Sequence, residues 1–542
     1  MLDFSLYEFF GIVPRLRGKQ LPPSYATVAR DIDLTHGVLQ PFREPLKVSD
    51  KTAGSRLVSY GCDIFTFDEC VDVAEWLPDC PRLYITGRVD YPEVATVDKG
   101  RLSYRRLGVP RPPAPPLVSA TPAPEDSDKA RAVAYVTTFI NSFGEESAPS
   151  LPSTDVVIDD GQSVSVTFEY DPSIEYDVKA IRVYRRDTGF RIGAEKEQTP
   201  ATHWYLIGET PIDSIQITDT TLVKEVGYGL TSLEVREPPA NLKNITSIRD
   251  TAMLVGSSGN KLLFSENLQP YNFPIAQEMT LDDNIVALGS QGNSIFVATD
   301  GYPYRLVADV GCDKRDCRQI VKYDQPMPMI NCHIGQGSVV TPFGMVYVSA
   351  DGLVLLSDND SPSVITSDTL SADDWRKLAP HTMRLAYHKG ALFIVSDVAS
   401  FIFWVDSSTY KDTKHKRLVT ISDTPIDMVG TRQGELLLMT TEGVFQWNAG
   451  EKLRPYLWVS EDIDANFLYA ITRIRLNVLS AGVECALESK HGEVSRRFAT
   501  GDTIIPFTRL GRHKNFNIRI EGIGEVTELE VGVSKLDMGG RR

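Results

Sequence analysis

The sequence has no apolar run long enough to span a membrane, and its hydrophobic fraction of 42% is that of ordinary globular protein. Membrane insertion is therefore not expected. The first residues, MLDFSLYEFFGIVP, carry Asp3 and Glu8 and lack the basic start of a secretory leader, so a cytosol-like compartment is the expected place of synthesis. Cysteine is scarce: seven residues, an odd number scattered over 542, suit reduced thiols better than a disulfide framework. Positive charge is in deficit, with 56 Lys and Arg against 72 Asp and Glu and a formal net charge of −16. That balance argues against a protein whose task is to grip nucleic acid, which needs clustered cations to displace phosphate counterions. It does not argue against one that DNA slides past, because an acidic wall repels phosphate. Long amphipathic helices are missing too; ECVDVAEWL (69–77) and ADDWRKLA (372–379) are the best short candidates.

What is present is a repeated pattern of a small-residue turn followed by alternating apolar residues. Its copies are GNKLLFSE (259–266), GNSIFVATDGYPYRLV (292–307), GMVYVSADGLVLLS (344–357), GALFIVSD (390–397) and GELLLMTTEGVFQWN (434–448). Each copy reads as a β-hairpin arm, since glycine supplies the positive φ of a tight turn and the residues after it alternate with period near two. The leading glycines, Gly259, Gly292, Gly344, Gly390 and Gly434, are 33, 52, 46 and 44 residues apart. Repeats of that length with several strands each predict a β-propeller; the alternative is a set of hairpins in a sandwich.

Five segments follow from the composition. Residues 1–30, with the proline-broken basic stretch PRLRGKQLPP (14–23), predict an extended arm that orders on a neighbour. Arg15, Arg17 and Lys19 in that arm, and Phe42 on the strand-like piece after it, are the candidate contacts to a neighbouring subunit. Residues 31–110 are expected as a first propeller portion, in which the strand-like pieces from Leu57 to Arg106, among them RLVSYGCDIFTF (56–67), predict closure of the ring with the segment after Gly434. RPPAPP (111–116) and EPP (237–239) bracket alternating strands with turns every ten to twenty residues, which predicts an inserted β-sandwich at 111–238 similar to fibronectin type III modules. The main blades are expected at 239–456, and alternation such as Phe516, Ile518, Ile520 predicts a β-rich terminal domain at 457–542.

Chemistry-bearing patterns are weak. GCDKRDC (311–317) with Cys332 and His333 offers thiols and an imidazole, but lacks the paired knuckles of structural zinc sites, and a hairpin loop with idle thiols is the preferred account. Cys62, Cys70 and Cys80 are read the same way. Asp282, Asp283, Asp300, Asp351, Asp373 and Asp374 are available for glycosidase-like carboxylate pairs, yet acids beside turn glycines are what tight turns favour. No nucleophile elbow, P-loop or dinucleotide fingerprint is present. No catalytic residue, metal or cofactor is therefore expected, and the protein is not expected to be an enzyme.

Several stretches together, GIVPRLRGKQLPPSYATVARDIDLTHGVLQPFREP (11–45), RLYITG (82–87), LGVPRPPAPP (107–116), IRVYRRDTG (181–189), LLFSENLQPYNFP (262–274), FVATDGYPYRL (296–306) and VYVSADGLVLLS (346–357), carry a resemblance. The chain resembles the tail hub or nozzle proteins of short-tailed bacteriophages, which extend the portal. The resemblance implies a homo-oligomeric ring, a hexamer, that meets the portal or an adaptor ring and other tail proteins, with genomic DNA passing through transiently. It also implies a place in the virion tail, and in the host cytoplasm during assembly. The alternative is a tail-associated glycan-binding or glycan-cleaving propeller protein. Convergent aromatic and acidic side chains in an open groove would favour the second, and a ring-forming edge the first.

Overall fold

The computed structural model describes the chain except residues 1–3, 18–19, 23, 53, 78–79, 124–129, 160, 173, 191–202, 223–224, 249–250, 309–317, 331–335, 359–360, 406–417, 470, 472, 491, 508–512 and 533–542; the side chains of 188–190, 308, 318, 464–469 and 513–514 are likewise outside it. The protein is all-β, with 52% of residues in strands and 4% in helix, and among the described residues no sheet closes into a barrel. It divides into two compact units, one of Met1–Val71, Val286–Leu306 and Ile320–Arg542, the other of Asp72–Ile285 and Val307–Gln319.

Six runs of four paired strands recur, one of them the beginning of a ten-stranded sheet. They extend from Asp72–Glu75 to Arg101–Arg106, from Lys243–Ile248 to Met279–Thr280, from Ile285–Gln291 to Arg318–Lys322, from Ser338–Thr341 to Ser363–Val364, and from Arg384–His388 to Leu418–Ile421, each in chain order. The sixth takes Asp427–Gly430, Leu436–Thr440 and Gly443–Gln446 from the last repeat and Leu46–Ser49 from near the other end of the chain. Pairing of early residues with the segment after Gly434 was expected for 57–106 and is found just before it, at 46–49. All five leading glycines of the repeats have positive φ, between 56° and 133°. At Gly344 a Cβ would lie 1.9 Å from the Leu356 carbonyl oxygen, so strand packing and the turn both demand glycine there.

In the first unit the terminal segments are part of the scaffold. Strand Ala26–Arg30 lies between Leu418–Ile421, which it meets in parallel, and Tyr456–Ser460, which it meets antiparallel. The sheet then continues through His513–Gly522, Val483–Ser489 and Gly492–Phe498. One core joins Phe9, Ala29, Val419, Trp458 and Ile518. The expected free arm at 1–30 and separate terminal domain at 457–542 are therefore corrected. Leu6 and Phe9 join the core of the C-terminal strands, and the proline-broken piece after them closes a small cluster of its own, Phe10, Val13, Leu21 and Tyr25. Phe4–Leu6 pairs with Val526–Gly532, and Phe9 meets Trp458 edge-on at 5.2 Å.

In the second unit, strands Leu117–Ala120, Val164–Thr167 and Gln216–Asp219 form one sheet, and Val156–Asp159, Ala130–Asn141, Val178–Phe190 and Tyr205–Pro211 form another. Val133, Phe139, Val164, Val166, Ile181 and Val183 share a core with both. This pair of sheets is latched to the sheet Asp72–Arg106 by two guanidinium groups on one ring: Arg82 and Arg105 stand 3.6 and 4.7 Å from the Phe143 centroid. Arg82 also pairs with Glu145 at 3.2 Å and Arg105 with Asp177 at 3.0 Å. The prolines that bracket the insertion thus do not leave it to swing on that sheet, because cation–π and charge contacts act together at half-buried positions.

Of the two expected helices, Ala372–Lys377 forms, capped by Ser371, whose hydroxyl accepts from the Asp374 N–H at 3.2 Å. Asp72–Glu75, inside the other, is a strand paired with Arg82–Thr86. Tertiary pairing overrides local preference there: Ala74 is buried in the core, and the Asp72 carboxylate accepts the Asn244 N–H at 3.2 Å. No helix among the described residues is long and apolar enough to cross a membrane.

Candidate functional site

The side chains singled out in the sequence do not converge. The Arg15 guanidinium donates to the Ser367 carbonyl within the chain, and its backbone N–H donates to Thr369 at 3.1 Å. Arg17 is exposed, its N–H bound to the Gln20 side chain at 3.3 Å, and Lys19 lies outside the described residues. Phe42 is a core residue, 4% exposed, so as placed it is unavailable to a neighbouring subunit. The reason is local: Phe42 follows the short pairing of Ile32–Asp33 with Gln40–Pro41, which turns its ring onto Trp447 at 5.2 Å. Cys62 is exposed, Cys70 and Cys80 are half-buried and Cys485 is buried; Cys312, Cys317, Cys332 and His333 lie outside the described residues. Among the described residues, no group of three or more His, Cys, Asp or Glu side chains is arranged to hold a metal. The Asp351 backbone N–H donates to Ser349 Oγ at 3.2 Å, and Asp373 and Asp374 sit in the first turn of the short helix.

A site that sequence inspection missed lies in the first unit. A cleft of about 500 Å³ opens where three chain reversals meet a strand end: the loop around Asp33–His36, the hairpin turn His388–Ala391, the turn Gln433–Glu435, and the end of the strand Gly443–Gln446. Its floor is aromatic. Trp447 is edge-on to Phe42 and to Phe393, at 5.2 and 5.4 Å, and Trp404 completes the set. The rim is polar, with Asp33, His388, Lys389, Glu435, Gln446 and Asn448. Glu435 Oε1 accepts from Gln446 Nε2 at 3.0 Å, and Asn448 Oδ1 accepts the Arg43 N–H at 2.5 Å. Burial, and then the neighbouring Lys389 charge, lowers the His388 pKa from 6.5 to about 4, so the imidazole is neutral at neutral pH and can both donate and accept. Its ring stands 6.2 Å from Phe393. The signal available beforehand was the tryptophan that closes the last repeat, in FQWN (445–448), but its partner Phe42 is some four hundred positions earlier.

No family model matches the sequence, and no curated protein matches it. Similar solved structures include Hsv2 of Kluyveromyces lactis, 10% identical with a TM-score of 0.25, covering 56% of this chain and 91% of that one. Another is a functionally unknown protein from Desulfotomaculum acetoxidans, 10% identical with a TM-score of 0.24, covering 70% of this chain and 95% of that one. Likenesses at such scores carry no weight for fold or function.

Proposed function

We propose that this protein is a structural subunit of a bacteriophage tail, of the hub or nozzle kind. It assembles into a homo-oligomeric ring, a hexamer, beneath the portal, and retains and conducts the genome during ejection without catalysing a reaction. In this reading the repeated four-stranded runs are blades of a β-propeller. The paired sheets at 117–219 are a fibronectin type III-like insertion with its own strand order: the first strand shares a sheet with the fourth and seventh, whereas in immunoglobulin-type sandwiches the first two strands share one.

The observation that carries the proposal is that residues 4–30 pair with the strands at 456–532 and share one core with them. A subunit stacked between other rings is loaded along its axis, and segments paired on both sides resist local opening. Strand Ala26–Arg30 is held on both sides, and Phe4–Leu6 is held by Val526–Gly532. The resemblance in residues 11–45 supports the same reading, and so does the charge. With 72 acidic against 56 basic side chains, a channel wall can be acidic or neutral while cations pair at contacts. Every phosphate held by Lys or Arg would add an electrostatic well on the path of the DNA.

Weak binding to duplex DNA at physiological salt is therefore the expected result in an electrophoretic or anisotropy titration of the purified protein. Tight binding that falls steeply with added salt would overturn the conduit.

A further inference from the structure

The aromatic cleft has no role in the assembly just proposed, and the chemistry of its lining selects a ligand. A cation is disfavoured, because Lys389 stands on the rim and the Arg454 guanidinium already lies 5.5 Å from the Trp447 ring. An anion is disfavoured by Asp33 and Glu435 on the same rim. A purely apolar ligand would strip water from those two carboxylates and from the amides of Gln446 and Asn448 without replacing their hydrogen bonds, which costs free energy for each group left unpaired. A neutral ligand rich in hydroxyls meets none of these objections. Its hydroxyls donate to carboxylates and accept from N–H groups, and its C–H edges pack on rings.

The hydrogen-bonding groups of the lining fit that chemistry. Trp447, which carries an indole N–H, and His388, whose imidazole burial keeps neutral, both line the cleft. The bond from Gln446 engages one oxygen of Glu435 and leaves the other open. A donor, a neutral donor–acceptor and a charged acceptor thus line one cleft, above rings already fixed by mutual edge-to-face packing. Such groups lose little freedom when a ligand arrives.

We propose that this cleft is a saccharide-binding site, of mono- to disaccharide size, in which Trp447, His388 and Glu435 read the hydroxyls. The inference rests on the cleft alone and stands or falls independently of ring assembly.

The test is calorimetric titration of the full chain with three neutral disaccharides: cellobiose, lactose and N,N′-diacetylchitobiose. Tetramethylammonium and inorganic phosphate serve as cationic and anionic comparisons. At least one disaccharide is expected to bind saturably, in the millimolar range. Glu435→Gln keeps an acceptor for Gln446 but loses the charge, and Trp447→Phe keeps the ring contacts but loses the N–H. Each is expected to weaken binding about tenfold, the loss of one hydrogen bond worth about 1.4 kcal/mol. The Glu435→Gln change is at the rim, and an unchanged melting temperature checks that the fold is intact. Absence of saturable heat with all three disaccharides overturns the proposal. So does binding of either ion in their place, or saccharide binding that both substitutions leave unaltered.

Discussion

Asp219→Ala is expected to destabilise the paired sheets of the insertion by about 3–5 kcal/mol, the usual effect of removing one partner from a buried ion pair. Asp219 and Arg185 are each 1% exposed, and their side chains meet at 2.7 Å. The carboxylate also accepts from the Tyr135 hydroxyl and the Thr221 N–H, both at 2.8 Å. Asp219 ends a strand of the three-stranded sheet, while Arg185 and Tyr135 belong to the four-stranded one, so the network pins the two layers together. Burial works against the Arg185 charge, but Asp219 and then Asp187 more than offset it and raise its pKa. Without Asp219 the guanidinium keeps only Asp187, at 3.6 Å, and the Thr221 carbonyl, and the tyrosine hydroxyl loses its acceptor. Tyr135→Phe should cost only about 1 kcal/mol, as expected for one hydrogen bond. Hydrogen exchange read by mass spectrometry checks both variants: protection should fall across 130–219 in the alanine variant and stay near wild type in the phenylalanine one. Equal, small effects in the two would show that the charge pair does not hold the layers.

Glu461→Gln is expected to stabilise the first unit, and only at neutral to alkaline pH. Glu461 is 5% exposed, at the corner between Tyr456–Ser460 and the next strand, and its Oε2 finds no hydrogen-bond partner among the described residues. Burial, only partly offset by its own backbone N–H, raises the carboxyl pKa from 4.5 to about 7. A carboxyl whose pKa is raised on folding binds its proton more tightly in the folded state. Its contribution to stability is therefore fully present below pH 4.5 and is lost as pH rises through 7. The loss amounts to roughly 3 kcal/mol at pH 8, since one pKa unit corresponds to about 1.4 kcal/mol. Glutamine carries a donor and an acceptor at all pH values and should remove the loss. His388 acts in the opposite sense: with its pKa lowered to about 4, its contribution is complete above pH 6.5 and declines as pH falls toward 4. Wild type and variant share that term, so the difference between their urea or thermal unfolding curves isolates Glu461. A difference of the same size at pH 4.5 and pH 8 would contradict a titrating carboxyl.

The repeats were legible because the turn chemistry is local. Gly259, Gly292, Gly344, Gly390 and Gly434 each need a left-handed backbone that other residues avoid, and each marks a hairpin. The strands of the insertion were legible for the same kind of reason, alternation of apolar residues within a few positions. The rest depends on partners that sequence spacing does not reveal. Nothing in residues 1–30 shows that Phe9 packs on Trp458, or that Ala26–Arg30 fills the gap between Leu418–Ile421 and Tyr456–Ser460. A proline-broken basic stretch reads as a free arm until the buried residues on either side of it, Phe10 and Tyr25, are seen to share a cluster. Phe42 shows the same limit: the sequence places it on a strand-like piece, and only the fold shows its ring packed on Trp447 at the floor of a cleft. Asp72–Glu75 has helical spacing, yet strand pairing and the bond to Asn244 decide its form. The latch on Phe143 was hidden because Arg82 and Arg105 look like ordinary surface cations until their ring and carboxylate partners are placed.

Ring assembly is the claim on which the structural role rests, and its most direct measurement is mass photometry combined with negative-stain imaging of the purified chain, alone and with portal. The account predicts a closed hexameric ring with a central opening, formed by the chain itself or on the portal. A chain that stays monomeric at every concentration and leaves the portal unoccupied would contradict it.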